Sequence, residues 1–404
     1  MGGITQREVA ERAGVHLDYV DRLVDAGALV PAEDGTFSAG DARRARIYQS
    51  LERAGLPFQT MLEALDRGEL SFASLDSPLY DRFSGLSSTS FREVSEQEGI
   101  PLELLLVVRQ AVGFAQADPD DPMREDELRV VPLLRLQLSR GFDPAVVERS
   151  LRVYGDALRR IAETEADWWH TQVSFPRLAS GMTEAQMQEA SIEFGEELAP
   201  LIEQAILAIY RANQEHTWTE NLIDEVEDAL DRAGLHNRLN TTPAICFLDI
   251  TGYTRLTEER GDEAAAELAA RLTPLVQRPA ERHGGKVVKW LGDGVMFHFR
   301  EPTGGVLAAL EMIDAISAAG LPPAHVGLHT GPVVFQGGDY FGRTVNLAAR
   351  IGERAAPGQV LVTQEIVDRV ASDGIAFEPI GAVELKGLSQ PVRLHAASQV
   401  TATP

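Results

Sequence analysis

The apolar residues of this chain change their period near residue 240, and that change limits what the chain can fold into. Up to about Leu235 they recur three and four apart, as in Phe194, Leu198, Leu201, Ile202, Ala205, Ile206 and Ile209. That spacing belongs to helices with one apolar face. After residues 237–243, which read as a polar hinge, short β-rich runs alternate with helical segments. The chain must therefore join an all-helical part to an α+β part. Its 404 residues allow two to four domains at roughly 100–200 residues each.

The helical part carries an internal repeat. Arg7-Glu-Val-Ala-Glu-Arg-Ala-Gly-Val15 recurs as Arg92-Glu-Val-Ser-Glu-Gln-Glu-Gly-Ile100, with Asp41 in register with Asp126 and Gly55-Leu56 echoed one residue late by Gly141-Phe142. Residue types kept at nearly constant spacing indicate duplicated modules. In the first copy, two short helices flank Gly14 and the Asp34-Gly35 turn forms a small wing; Leu51 to Leu70 reads as a further amphipathic stretch. This unit resembles the winged helix-turn-helix of MerR-like regulators. Residues 71–90 read as a linker and 117–122 as a loop. The expected domains are a helix-turn-helix module at 1–72, a second repeat with a helical regulatory and dimerisation region at 88–236, and an α+β domain at 242–398. The acidic amphipathic segment from Asn221 to Leu235 is expected to couple the two parts.

Charge argues about partners. The net charge of −24 divides into an excess of 20 acidic groups over residues 1–240 and only 4 over 241–404. The expected recognition helix sets Asp18, Asp21 and Asp25 against Arg22 alone, and the wing has no cation. Phosphate-backbone binding draws its affinity from cationic neutralisation, so this surface argues against DNA. A MerR-like DNA-binding regulator that uses its second domain as a nucleotide sensor is the alternative reading. Cys246 is the single cysteine, no apolar run approaches the ~18–20 residues of a membrane span, and the N-terminus lacks a signal-peptide core. A cytoplasmic protein is expected.

The run Ala244 to Ile250 reads as a buried strand ending in a carboxylate, and Lys286–Leu291 and Val295–Phe299 flank a tight turn at Gly292-Asp293-Gly294. A long helix spans about Glu258 to His283. Asp249 and Asp293 are thus expected at one end of neighbouring strands, a donor set suited to hard divalent cations. Phe247-Leu-Asp-Ile-Thr-Gly-Tyr-Thr254, Lys289-Trp-Leu-Gly-Asp-Gly294, Gly327-Leu-His-Thr-Gly331, Asp339-Tyr-Phe-Gly-Arg-Thr-Val-Asn-Leu-Ala-Ala-Arg350 and Leu385-Lys-Gly-Leu388 together resemble the catalytic domain of class III nucleotide cyclases. The resemblance implies a ferredoxin-like βαββαβ core behind an all-α regulatory region.

It further implies that Asp249, Asp293 and the Ile250 carbonyl hold two Mg²⁺ or Mn²⁺ ions, and that Lys289 and Asp339 select the base. An ammonium that donates to ring N1 and a carboxylate that accepts from the 6-amino group suit adenine, whereas guanine would oppose donor to donor and acceptor to acceptor. Asn346 and Arg350, four apart on the expected helix Thr344 to Glu353, are assigned to the transition state. Lys386 is assigned to the terminal phosphates, and Gln359 replaces an arginine that some relatives use there. The implied enzyme makes 3′,5′-cyclic AMP and pyrophosphate from ATP in a homodimer with two shared sites. For the helical part, Trp168-Trp169-His170 with Phe175, Phe194 and Tyr210 reads as a helical core or as the lining of a pocket for a small apolar ligand. His170, His216 and His236 in acidic surroundings read equally as proton sensors or as isolated surface histidines.

Overall fold

The computed structural model describes residues 3–400 except 84, 115–116, 236–241, 254–257, 260, 371, 373 and 388–389. Thr254, Leu388, His236 and hinge residues 237–241 therefore lie outside the described residues. The chain forms two compact units, residues 1–219 and 220–404.

The first unit opens with helices α1 (Gln6–Ala13), α2 (Leu17–Asp25), α3 (Ala39–Arg53) and α4 (Phe58–Asp66). The second repeat gives β1 (Leu86–Ser90), α5 (Phe91–Glu98), α6 (Leu102–Ala111), β2 (Pro122–Arg124), α7 (Glu125–Leu128) and α8 (Val131–Ser139). The duplication is visible in the caps. Thr5 Oγ1 accepts from Glu8 N while Glu8 Oε2 accepts from Thr5 N, and Ser90 and Glu93 repeat the exchange. Each first helix ends at a left-handed glycine, Gly14 (φ 69°) or Gly99 (φ 66°). An Ile4–Phe37 bridge in the first copy corresponds to the β1–β2 pair in the second. The copies also have separate cores, around Val9, Leu23 and Tyr48 and around Phe91, Leu105 and Met123.

Within and between the repeats, three sequence expectations change. Asp41 Oδ2 accepts from Ser38 N at the start of α3, and the group in that role in the second copy is Glu127, accepting from Arg124 N, rather than Asp126. The one-residue slip seen at Gly141 thus begins earlier, before α7. Residues 71–90 are built structure instead of a linker: 3₁₀ turns at Ala73–Asp76 and Pro78–Arg82 precede β1, and Leu75 is buried. Arg43 Nε donates to Leu75 O at 2.8 Å, and Arg44 pairs with Asp76. Leu51 to Leu70 is divided, because Gly55 (φ 91°) and Pro57 end α3 before α4 begins.

Long helices follow: α9 (Pro144–Trp169), a π-turn (His170–Ser174), α10 (Phe175–Ala179) and α11 (Glu184–Arg232). The segment from Asn221 is the end of α11 and not a separate helix, and the division between the units falls within α11.

The second unit contains a seven-stranded sheet in the order β10-β11-β9-β6-β3-β5-β4. Its strands are β3 (Ala244–Ile250), β4 (Gly285–Leu291), β5 (Gly294–Phe299), β6 (Ala324–Thr330), β9 (Val360–Thr363), β10 (Ile375–Val383) and β11 (Val392–Gln399), with a small ribbon of β7 (Val334–Gln336) and β8 (Asp339–Phe341). Helices α12 (Asp262–Arg282), α13 (Pro302–Ala318), α14 (Arg343–Arg354) and α15 (Gln364–Val367) complete it. The order β6-β3-β5-β4, all antiparallel with α12 and α13 as crossovers, is the ferredoxin-like βαββαβ core, and β6–β9 is the one parallel pair among the described strands. Strand β3 alternates strictly. Ala244, Cys246, Leu248 and Ile250 enter the core that includes α12 and α13, while Ile245 and Phe247 face the cluster that includes α14.

Candidate active site

The same alternation sends Asp249 to the α14 side at the end of β3. It pairs across the sheet with Gly294 on β5 and His325 on β6. The β4–β5 hairpin closes with Leu291 opposite Gly294, leaving Gly292 and Asp293 as the turn. Gly292 has φ 70°, the left-handed value that a two-residue hairpin takes at its first position when glycine is there. The turn residues are therefore Gly292-Asp293, one position earlier than an Asp-Gly turn. The geometry carries Asp293 beside Asp249, as expected from the sequence. Burial, and then the charge of Asp293, push the Asp249 carboxyl above the usual carboxylate range; His325, with Nε2 3.6 Å from Asp249 Oδ2, acts the other way.

Lys289 reaches the α14 side by a different device. Val287 opposes Phe297, but Lys289 opposes Met296, so β4 carries one extra residue. A bulge of this kind re-aims the side chains that follow it. Val287 and Trp290 pack on the α12–α13 side, whereas Val288 and Lys289 both turn to the other. There Lys289 Nζ donates to Asp339 Oδ2 at 2.5 Å, and Tyr340 N donates to Asp339 Oδ1 at 2.8 Å. Strict alternation would have placed Lys289 with Val287. Two neighbours of this pair escaped the sequence reading: the His298 ring stacks on Tyr340 at 4.4 Å, and Lys286 Nζ lies 5.9 Å from the Tyr340 ring centre. Burial, with a smaller contribution from Lys286, pushes His298 down to about 4. The only signal in the sequence was its place in β5, on the face opposite Phe297 and Phe299.

Helix α14 spans one residue more at each end than expected. It begins after Gly342, whose φ of 129° favours glycine, and Thr344 Oγ1 donates to Pro332 O at 2.7 Å. Its buried face, Val345, Leu347, Ala348, Ile351 and Gly352, lies against the sheet. A Cβ on Gly327 of β6 would lie 2.1 Å from Gly352 N, so this approach requires glycine. Asn346 and Arg350 consequently share the outward face, and Arg350 NH1 donates to both carboxylate oxygens of Glu353, at 2.5 and 2.8 Å. Leu385 is buried with Leu347 and Ile351, which anchors the exposed Lys386 next to α14. Gln359 Oε1 accepts from Ala356 N at 2.9 Å, so this side chain closes its own turn.

No group of three or more His, Cys, Asp or Glu side chains suited to a metal occurs among the described residues. The donors available are two adjoining carboxylates and the Ile250 carbonyl, a set that fits Mg²⁺ or Mn²⁺ completed by water and phosphate oxygens. The raised Asp249 carboxyl is consistent with that chemistry, because a cation between the carboxylates would offset their repulsion.

In the helical unit, Trp169 stacks on Phe194 at 5.7 Å and meets Trp168 edge-on at 6.1 Å. Trp169, Phe72, Leu79 and Met187 line a cavity of about 350 Å³, into which Gln188 also faces; Gln188 Oε1 is buried without a hydrogen-bond partner among the described residues. Phe175 and Tyr210 are exposed and outside this cluster. No described helix is long and apolar enough to cross a membrane.

Comparison with known proteins adds two family matches. Residues 238–398 match the adenylate and guanylate cyclase catalytic domain, and residues 80–217 match the adenylate cyclase regulatory domain. An uncharacterized protein of Mycobacterium tuberculosis is 27% identical over 93% of both chains. A pH-sensitive adenylate cyclase of the same species is 28% identical over 76% of this chain and 77% of its own. An adenylate cyclase of Streptomyces coelicolor is 25% identical over 71% of this chain and 74% of its own. Among solved structures, the adenylyl cyclase CyaB from P. aeruginosa aligns at 25% identity and TM-score 0.36, covering 39% of this chain and 94% of that one.

Proposed function

We propose that this chain, a class III cyclase catalytic domain behind an adenylate cyclase regulatory domain, converts ATP to 3′,5′-cyclic AMP and pyrophosphate. The observation that carries the choice of ATP is the Lys289–Asp339 pair, held on one face of the sheet at 2.5 Å. The ammonium donates to adenine N1 and the carboxylate accepts from the 6-amino group; guanine would leave both unpaired at a cost of several kcal/mol. The ribose 3′-hydroxyl gives up its proton, which ends on solvent or on pyrophosphate, as its oxygen attacks the α-phosphorus; a P–O bond forms, and the bond to the β-phosphate oxygen breaks as pyrophosphate leaves with the electron pair. Asn346 orients the ribose. Arg350 releases Glu353, an exposed partner that holds it only weakly, and places its fork on the α-phosphate as charge develops. Lys386 holds the terminal phosphates. Asp249, Asp293 and the Ile250 carbonyl would hold divalent cations, which would lower the pKa of the 3′-hydroxyl and neutralise phosphate charge.

The active form is a homodimer. Asp249 and Asp293 of one protomer face Lys289, Asp339, Asn346 and Arg350 of the other, and the two-fold axis generates two sites. Comparing kcat/KM for ATP and GTP tests the substrate assignment. At least a hundredfold preference for ATP is expected, falling about tenfold or more in Asp339→Ala; equal values for both nucleotides in the unaltered enzyme would remove the assignment.

The helical unit is read as a regulator built from MerR-like modules rather than as a DNA reader. In α2, Arg22 is already committed to Glu52 at 2.5 Å, which leaves Asp18, Asp21 and Asp25 to set the potential. The end of α11 is read as the coupling element, since Glu227 pairs with Arg300 at 3.2 Å inside the catalytic unit. Removing residues 1–219 should change the rate or its pH profile; identical behaviour with and without them would end this reading.

A further inference from the structure

A cleft of about 1150 Å³ lies between the two repeats of the helical unit, away from the cavity beside Trp169. Among its lining residues are Arg12, Arg43, Arg46, Arg53 and Arg109, five arginines in a region whose overall charge is strongly negative. The other half-buried arginines of this unit are tied into the fold. Arg44 pairs with Asp41 and Asp76, Arg109 with Glu127, and Arg124 with Asp126. Arg43 Nε is held by Leu75 O.

Arg46 is different. It projects from α3, is only partly exposed, and its guanidinium has no hydrogen bond or ion pair among the described residues. Burial, and then the charges of Arg124 and Arg43, hold it below the usual arginine range, and Asp126 acts more weakly the other way. A half-buried cation facing two other cations is an unfavourable arrangement in the ligand-free fold, and a bound anion would relieve it. The acidic groups that line the cleft are Glu11, Asp121 and Glu125, and Asp121 already stands 3.9 Å from Arg109.

We propose that this cleft binds a small phosphorylated organic molecule, with its phosphoryl group on Arg46 and its body along Val15, Ala42, Phe83 and Leu86. Several convergent forks match the three or more oxygens of a phosphoryl dianion better than a single carboxylate. The volume exceeds what inorganic phosphate fills, and the apolar part of the lining gives an organic body something to cover. A long polyanion such as nucleic acid would meet the acidic surface around the cleft, whereas a small one enters it. Because Arg46 belongs to the first repeat and Arg109 to the second, a ligand in the cleft would tie the repeats together. This site is independent of the cyclase reading.

The test is calorimetric titration of the full chain at constant ionic strength, using glycerol 3-phosphate, inorganic phosphate and citrate as probes. Glycerol 3-phosphate is expected to bind saturably and more tightly than inorganic phosphate. Arg46→Gln should weaken it about tenfold or more, and Arg46→Lys, which keeps the charge but loses the fork, by less. Arg159→Gln, at an exposed arginine outside the cleft, should leave binding unchanged. Any binding at the catalytic site is common to all these proteins, so the Arg46-dependent part is the readout. Should Arg46→Gln fail to fold, Arg46→Lys carries the comparison. Identical glycerol 3-phosphate isotherms for the unaltered protein and the Arg46 variants, or no saturable binding, would overturn the proposal. Arg46-dependent binding of citrate alone would overturn the phosphoryl assignment.

Discussion

The two units of this protein treat charge in opposite ways. In the helical unit, buried or half-buried ions are matched: Glu127, fully buried, meets Arg109 at 2.7 Å, and Asp41 meets Arg44 at 2.6 Å. In the catalytic unit, Asp249 and Asp293 stand side by side with no lysine or arginine partner among the described residues. The first arrangement holds a structure together; the second maintains a repulsion that a bound cation would remove. A half-buried charged group that the fold fails to neutralise is therefore the better indicator of function here, and Arg46 meets that criterion among arginines of the helical unit that are otherwise matched when half-buried.

The largest effect is expected at the unmatched pair. Asp249→Ala should lower kcat/KM for ATP by about 10³ or more, roughly 4 kcal/mol of transition-state stabilisation, without lowering the melting temperature. On the proposed dimer, mixing it with Asn346→Ala under subunit exchange should restore about a quarter of wild-type activity, because a mixed dimer would keep one intact site. A destabilised Asp249→Ala would break the contrast between the units, and absence of recovery despite demonstrated exchange would count against shared sites.

The matched pair should fail in the other direction. Arg109→Met leaves the Glu127 carboxylate buried and uncompensated, at a cost of about 3 kcal/mol in denaturant unfolding. A loss below ~1 kcal/mol would mean that the pair contributes little net stability and that the contrast is overstated.

A smaller effect belongs to His298, half-buried on the catalytic unit's sheet. Its folded value of about 4 lies below the ordinary 6.5, so between these pH values the unfolded chain holds a proton that the folded one does not. The stabilisation is fully present above about pH 6.5 and is lost as pH falls toward 4. Discounted for partial exposure it amounts to about 2 kcal/mol. His298→Gln should flatten the stability profile in that window relative to the unaltered protein; parallel profiles would show that the ring is not protected from protonation.

Much of the catalytic unit could be read from its sequence because its chemistry is local. The end of β3, the hairpin turn and α14 are each set by a few adjacent residues, and Asn346 and Arg350 share a face by helical spacing alone. Less of the helical unit was legible. The repeat and its caps were, since Thr5 to Glu8 and Ser90 to Glu93 are three-residue relations. Residues 71–90 were not, since their polar composition resembles a linker and only contacts such as Arg44–Asp76 and Ser77–Glu196 hold them in place. Gln188 and the cleft around Arg46 left no trace in local pattern, because both depend on residues brought together from distant segments.

The sequence by itself determined where helices give way to a sheet, which strands end in carboxylates and which residues share a helix face, because these follow from short-range periodicity. The tertiary structure decided which side of the sheet Lys289 occupies. One extra residue in β4 reverses the alternation after Val287, and a bulge is defined only against the partner strand, so no property of β4 alone could announce it. The same holds for Arg46: whether an arginine is paired depends on what the rest of the fold brings within reach of it.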